Sequence, residues 1–417
     1  MIVVFSHAHP SISKGGAEVS AYTLFLGLRR LGVPASFVAM VPEHEAHRLV
    51  LDSADEHGLT YRPEHYDHLF HHAEPPVFEA ARRIVERLRP TALVFHHFLF
   101  LGVNTVRRLR DAFGCPAILV LHEFLAICHH HGQMVTHPHK KLCDGASATR
   151  CAGCFPAYAP EEFHLRRTAF ADALLGMDWL VSPSAFLAQR FAAWGARPGQ
   201  LRVIENGLAG HGQPGHAPVD PAPAGVPARA DAHAVVFGYF GQINPFKGVD
   251  LILDALDRLA GPGNGEASPR IVVRVHGNIV GVSDEFKARL DKAVKGGWVD
   301  FHGPYDNADV LTLMGQCDYV VMASKWWENS PVVIQEAFSA RRPILAPGIG
   351  GMAEKIPDGV AGRHFKFNDA ADLARVLQAC AHETENGTSS YTFPIPSKAT
   401  DMARAYLALL EPMPVPA

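Results

Sequence analysis

The stretch VVFGYFGQINPFKGVDLILDALDRL, residues 235–259, decides the fold class of this chain. Val235 to Phe240 is a short apolar run bounded by glycine, the pattern of a strand covered on both faces. Gly241 to Gly248 forms a loop. Then Ile252, Ala255, Leu256 and Leu259 fall on one face of a helix. Strand, loop and helix in succession are the repeating element of a parallel α/β sheet.

The same alternation extends in both directions. Strand-like runs precede this stretch at 2–6, 35–39, 92–96, 117–121, 179–182 and 202–205, and follow it at 271–276, 299–302, 319–322 and 343–346. The first helix shows its buried stripe in Ala17, Ala21, Leu24, Leu28 and Leu31. Between the two series, Gly, Pro and Ala dominate without a hydrophobic period, which reads as a linker. At 417 residues the chain exceeds one ordinary core. The expected organisation is a Rossmann-like domain at 1–207, a linker at 208–232 and a second Rossmann-like domain at 233–399. A terminal helix at 400–417, with Met402, Ala405, Leu407 and Leu410 apolar, is expected to pack back on the first domain. Segments 262–269 and 382–392 read as surface loops. Two doubly wound domains bind ligands outside the carboxyl ends of their strands, so chemistry is expected in the cleft between them.

Composition excludes several classes. With 48% hydrophobic and 19% charged residues the chain is globular, and a net charge of −4 makes no electrostatic case for nucleic acid. The apolar stretch at 91–106 is interrupted by His96, His97 and Asn104, and 1–5 is too short for a signal-peptide core. The expectation is a cytoplasmic protein, with peripheral contact at the inner face of a membrane left open. The 25 histidines are expected to gain charge as pH falls through about 6.5.

Three motifs carry chemistry. Ser13-Lys14-Gly15-Gly16-Ala17-Glu18 joins the first strand to a helix, where free N–H groups favour an anion such as phosphate. Lys247, in the loop after Phe240, is placed to neutralise a diphosphate. Trp326-Trp327-Glu328-Asn329-Ser330-Pro331-Val332-Val333-Ile334-Gln335-Glu336 opens another helix, with Ser330 as the expected N-cap and Pro331 in the first turn. Glu328 and Glu336 then grip hydroxyls at separate points of one elongated ligand. Each motif has a plain structural alternative: a flexible turn, a solvated lysine, or a capped surface helix with incidental acids.

Taken in order, Gly15-Gly16-Ala17-Glu18, Asn206-Gly207, Lys247-Gly248, Glu328 with Glu336, and Gly350-Gly351-Met352-Ala353-Glu354 resemble the GT4 family of retaining glycosyltransferases, which have the GT-B fold of two Rossmann-like domains facing across a cleft. The resemblance implies a nucleotide-sugar donor and a sugar, glycan or lipid-linked acceptor, in surface glycan or glycoconjugate biosynthesis. It implies that Glu336 holds the ribose, that Glu328 lies by the donor sugar, and that Lys247 holds the diphosphate. Backbone groups of Gly16, Asn329, Ser330, Pro331 and Val332 assist there, beside Gly15 and Gln242. It places His122, in Leu121-His122-Glu123, near the reaction centre. Gln242 stands where such enzymes commonly carry arginine, so the second cation comes from elsewhere. Without an Asp-x-Asp motif, no catalytic metal is expected, and catalysis rests on positioning and on stabilising the departing diphosphate. His7, His9, His96 and His97 also end apolar runs. An epimerase or phosphorylase on the same fold, or a non-catalytic nucleotide-sugar-binding subunit, are the rival readings.

Four of the seven cysteines crowd together, with fourteen residues between Cys128 and Cys143, seven between Cys143 and Cys151, and two between Cys151 and Cys154. Four thiols ending in Cys-x-x-Cys, in an insertion at about 123–168, match a structural zinc site. A Cys₄ iron–sulfur cluster uses the same ligands, and disulfides or free thiols are the alternative. Nearby His129, His130, His131, His137 and His139 make the metal-binding set ambiguous, and most of them are expected to be solvated.

Overall fold

The computed structural model describes residues 1–13, 15–137, 139–208, 234–261 and 269–411. The expected linker after Leu208 and most of the loop expected at 262–269 lie outside the described residues. Two compact units form: Met1–Leu208 with Ser397–Ala417, and Ala209–Pro396.

The first unit holds strands β1 (Ile2–Ser6), β2 (Ala35–Pro42), β3 (Glu56–Tyr61), β4 (Ala92–His96), β5 (Ala117–Val120), β6 (Trp179–Ser182) and β7 (Leu201–Val203). Among the described residues they form one sheet in the order β3-β2-β1-β4-β5-β6-β7, with every pairing parallel. The second unit holds β8 (Val235–Phe240), β9 (Ile271–His276), β10 (Val299–Gly303), β11 (Tyr319–Val321), β12 (Ile344–Pro347) and β13 (Gly362–Phe365), in the order β10-β9-β8-β11-β12-β13, again parallel. Both orders reverse direction once, between β1 and β4 and between β8 and β11. Each reversal opens a crevice at the carboxyl ends of the strands.

Central strands β1, β4 and β8 are buried along their whole length, because helices cover both faces of a parallel sheet. The two strands absent from the sequence reading, β3 and β13, are edge strands. The first alternates buried and exposed residues and carries Glu56, and the second has Arg363 and His364 at its centre, so neither reads as an apolar run. The loop expected at 382–392 begins later than read, since the helix Ala370–Glu385 continues through His382.

Helix Gly16–Arg30 is buried on more than the one stripe read from its sequence: Ser20, Tyr22, Thr23, Phe25 and Gly27 are buried too, while Ala17 and Leu31 remain partly exposed. The helix Ala399–Leu410 lies against it, burying Met402, Ala403 and Tyr406 instead of Ala405. The two helices approach tightly at Gly27, where a Cβ would stand 2.4 Å from the Ala399 carbonyl oxygen. Gly27→Ala is expected to destabilise the protein by about 1–3 kcal/mol through this overpacking, read as a lowered denaturation midpoint. No helix among the described residues is long and apolar enough to cross a membrane.

Candidate functional site

At the β8/β11 reversal two loops meet. Asn244 Oδ1 accepts the amides of Phe246 (3.0 Å) and Lys247 (3.2 Å), turning the chain toward the helix Val249–Leu259. Gly248 has φ +74°, and a Cβ there would lie 1.8 Å from the Ala323 carbonyl oxygen, so only glycine admits the approach. The Lys325 amide donates to the Phe246 carbonyl at 2.7 Å, and the Lys325 ammonium pairs with Asp250.

This approach brings Lys247 to Glu328. Its Nζ lies 2.7 Å from Glu328 Oε1, and the same oxygen accepts Ser324 Oγ–H and Trp326 Nε1–H, each at 2.8 Å. Lys247 Nζ also stands 5.1 Å from the centre of the Trp326 ring. Glu328 is buried. Burial alone would raise its pKa, but the Lys247 charge and the three hydrogen bonds outweigh it and hold the carboxyl below its usual range. The carboxylate is thus kept ionised and fixed in direction.

Helix Val332–Ser339 begins after Pro331, which takes the N-cap position with no side-chain hydrogen bond. The expected Ser330 cap is not formed, because the proline's fixed φ already sets the entry. Asn329 is buried, while Ser330, Pro331 and Val332 are partly exposed at the helix start. Glu336, one turn in, is 8% exposed. Burial raises its carboxyl pKa to about 7, opposed only by a hydrogen bond from Asn307. Gln242 is exposed; its carbonyl accepts Tyr239 O–H at 2.7 Å.

A raised carboxyl pKa makes the folded chain hold a proton that the unfolded chain releases above about 4.5. Glu336 therefore lowers stability as pH rises from about 4.5 through about 7. Glu336→Gln is expected to gain on wild type over that window, by on the order of 2–3 kcal/mol at pH 8, and to match it near pH 4. Thermal melts of both proteins across pH 4–8 check this expectation.

At the β1/β4 reversal of the first unit, histidines gather. His96 ends β4 and is fully buried; its Nδ1 lies 3.1 Å from Nε2 of His122, just beyond β5. His97 has φ +90°, an uncommon backbone state for a residue with a side chain. Its Nδ1 accepts the Leu99 amide (2.9 Å), so Nε2 carries the proton donated to Glu123 Oε1 (2.9 Å). His7 packs on His97 and pairs with Glu18 at 3.3 Å, whereas His9 pairs with Glu56 of β3 at 3.2 Å. Burial first, then neighbouring histidines, pushes the pKa of His96 down to about 3 and that of His122 well below its ordinary value. The expected gain of charge near pH 6.5 does not hold for these two.

The Gly15-Gly16 turn starts the helix as read, but a protein carboxylate already lies beside it. Glu18, 5% exposed, accepts Ser13 Oγ–H at 2.6 Å, and one of its oxygens would stand 2.5 Å from a Cβ at Gly15. Burial would raise its pKa, but His7, Ser13 and its own amide draw it down to about 2. Gly16 is exposed and unobstructed.

All four clustered cysteines line one cavity of about 290 Å³, together with His129, His130, His137 and His139. They carry no disulfide. Amides of His130 and Met134 donate to the Cys128 sulfur, and Arg150 Nη2 lies 3.9 Å from Cys143 Sγ. Among the described residues, however, no three His, Cys, Asp or Glu side chains converge as a metal ion requires. The structure therefore brings the thiols to one cavity without gathering them.

Ser324 and Asn307 belong to no sequence motif, and Trp326 stands in one whose residue types assign it no role. The first and last lie within four residues of Glu328, where short-range reach was a usable signal; Asn307 follows β10 and gave none.

Two Rossmann-like units with polar clusters at their sheet reversals define a GT-B architecture. Residues 14–209 match the family profile described as Glycosyltransferase Family 4, and residues 228–387 match Glycosyl transferases group 1. The chain belongs to this family 4, group 1 set of glycosyltransferases. It is similar to the D-inositol 3-phosphate glycosyltransferase of Stackebrandtia nassauensis (30% identity over 148 residues, 34% of this chain and 33% of that one). It is similar also to that of Saccharomonospora viridis (29% over 195 residues, 46% and 44%). The matched stretch thus spans less than half the length of these curated relatives. Among solved structures, Anabaena Alr3699/HepE in complex with UDP and glucose aligns with TM-score 0.64 at 18% identity, over 98% of both chains. Sucrose-phosphate synthase from Thermosynechococcus elongatus aligns with TM-score 0.67 at 17% identity, over 98% of this chain and 96% of that one. At such identities the likeness concerns the fold.

Proposed function

We propose that this protein is a retaining glycosyltransferase that moves a sugar from a nucleotide-sugar donor to an acceptor in surface glycan or glycoconjugate assembly. The observation that carries this reading is the Lys247–Glu328 pair at the β8/β11 reversal, with Glu336 one turn into the following helix. Lys247 neutralises the donor diphosphate, aided by the backbone N–H groups of Asn329, Ser330, Val332 and Gly16; Pro331 has none to give. Glu336 accepts from the ribose hydroxyls, and Glu328 orients Lys247 beside the donor sugar. His122 serves at the sugar from the N-terminal unit, which takes the acceptor. No step needs a catalytic metal: departure of the diphosphate is assisted by fixed charge and N–H dipoles on the face where the acceptor enters.

The test is binding and slow hydrolysis of a panel of UDP-, GDP-, ADP- and TDP-sugars by wild type and Glu336→Ala. UDP-sugars come first, because UDP is held by the Anabaena structure, and D-inositol 3-phosphate is the first acceptor, after the curated relatives' names. Selective binding lost in the variant is the expected result. A folded wild type that binds nothing on the panel overturns the reading. For the four cysteines the reading is structural zinc at Cys128, Cys143, Cys151 and Cys154, supported by their shared cavity and by the amides aimed at Cys128. About one zinc per chain in purified protein, lost in Cys151→Ser, is expected; a metal-free active enzyme or an iron–sulfur spectrum overturns it.

A further inference from the structure

The His96–His122 contact joins two ring nitrogens at 3.1 Å, and a hydrogen bond between them requires one donor and one acceptor. An imidazolium on either ring would present a donor to whatever the other offers, and burial disfavours that charge on both. Two neutral rings therefore share one proton across the contact, and the question is which ring supplies it.

The surroundings of His96 answer it. It closes β4, whose register sets His96 beside Val120 of β5, two residues before His122. Its ring lies nearly parallel to that of Tyr406, at 6.1 Å and 16°, and Tyr406 is 2% exposed. The far nitrogen, His96 Nε2, is buried with no hydrogen-bond partner. A proton placed there would be a buried donor without an acceptor, the rarer and costlier defect; a bare lone pair is the lesser one. The His96 proton thus belongs on Nδ1, which faces His122.

We propose that His96 is a positioning residue that fixes the tautomer of His122: it donates Nδ1–H to His122 Nε2, so that His122 carries its own proton on Nδ1. The role rests on reading His122 as the histidine that serves the donor sugar. With Nε2 committed, whatever group meets the other ring nitrogen of His122, a sugar oxygen included, meets a hydrogen-bond donor and no lone pair. In that role His122 holds a sugar oxygen in place and does not remove a proton. The Tyr406 ring braces His96 from the C-terminal helix Ala399–Leu410.

The experiment is ¹⁵N NMR of the imidazole nitrogens in the full chain without ligand, with the His122 signals assigned through His122→Gln. Wild type is expected to show His122 protonated on Nδ1. His96→Phe keeps a flat ring on Tyr406 but removes the donor, and His122 is expected to change to the Nε2–H tautomer. Donor turnover should then fall in kcat by on the order of 10- to 100-fold with little change in donor KM. His96→Asn, whose amide nitrogen reaches the same place as Nδ1, should restore both. His122 protonated on Nε2 in wild type, or a tautomer unmoved in a folded His96→Phe, overturns the proposal. A wild type that turns over no donor defeats the transferase reading and leaves the tautomer result standing.

Discussion

Lys247→Ala is expected to lower kcat for the donor by about 10²–10³-fold, the usual cost of removing one group that stabilises a departing oxyanion. The same change reaches the fold through Glu328. That carboxylate is buried and keeps its charge because Lys247 lies 2.7 Å away. Without the lysine, hydrogen bonds from Ser324 and Trp326 remain, but an uncompensated buried charge is left behind. Because the Lys247 side chain is 31% exposed, solvent screens part of the loss, and about 1–3 kcal/mol is expected.

The pH dependence identifies the cause. In wild type the Glu328 pKa lies below its unfolded value, so the pair stabilises above about 4.5 and its contribution fades as pH falls through the depressed value. In Lys247→Ala burial prevails, the pKa rises, and the sign reverses. The variant's deficit should be larger at pH 8 than at pH 5. Lys247→Ala/Glu328→Gln should recover stability without recovering turnover, since the orphaned charge is gone while the diphosphate still lacks its cation. Melts at both pH values, with donor kinetics on the same preparations, separate the two effects. Equal deficits at pH 5 and pH 8 would show that Lys247 contributes packing rather than charge.

Gly351→Ala is expected to damage the C-terminal unit severely, as a methyl group at Gly248 or Gly277 also would. A Cβ at 351 would stand 1.9 Å from the Asn329 carbonyl oxygen, 2.5 Å from its carbon and 2.7 Å from the Glu328 oxygen. These are backbone atoms, and the Gly351 amide also donates to the Glu328 carbonyl at 2.8 Å. The helix Gly350–Lys355 therefore supports the segment that carries Glu328, and an added carbon can be housed only by moving that segment. Destabilisation of about 3 kcal/mol is expected, together with donor affinity reduced at least tenfold because Glu328 no longer meets Lys247 squarely. Gly315→Ala, where no atom lies within 4 Å of the new carbon, is the control and should change stability by less than about 1 kcal/mol. Equal melting points for the two variants would show that the support at Gly351 yields without cost.

Several features are local and were legible in the residues alone. The central strands are uninterrupted apolar runs, glycine and proline mark their ends, and Glu328 and Glu336 come with their spacing, so a parallel α/β chain in two series follows from sequence-near patterns. The polar edges were not legible. Glu56 is buried inside β3 with a local partner in Ser53, but its partners Tyr22 and His9 are distant in sequence and reach it only once the first helix and the loop after β1 lie beside it. Pro331 rather than Ser330 takes the cap, a decision of backbone geometry that residue preference does not resolve. Asn307 reaches Glu336 from another part of the sheet, and neither residue announces the other. The histidines show the division most clearly. His7, His96, His97 and His122 each end an apolar run and each was visible in the sequence. That they share one cluster, with His96 buried, His122 neutral and His97 tied to Glu123, follows from strand order, which sets β1, β4 and β5 side by side. Periodicity along a chain determines its elements, whereas pairing across the sheet determines which side chains meet, and with it their charge and proton position.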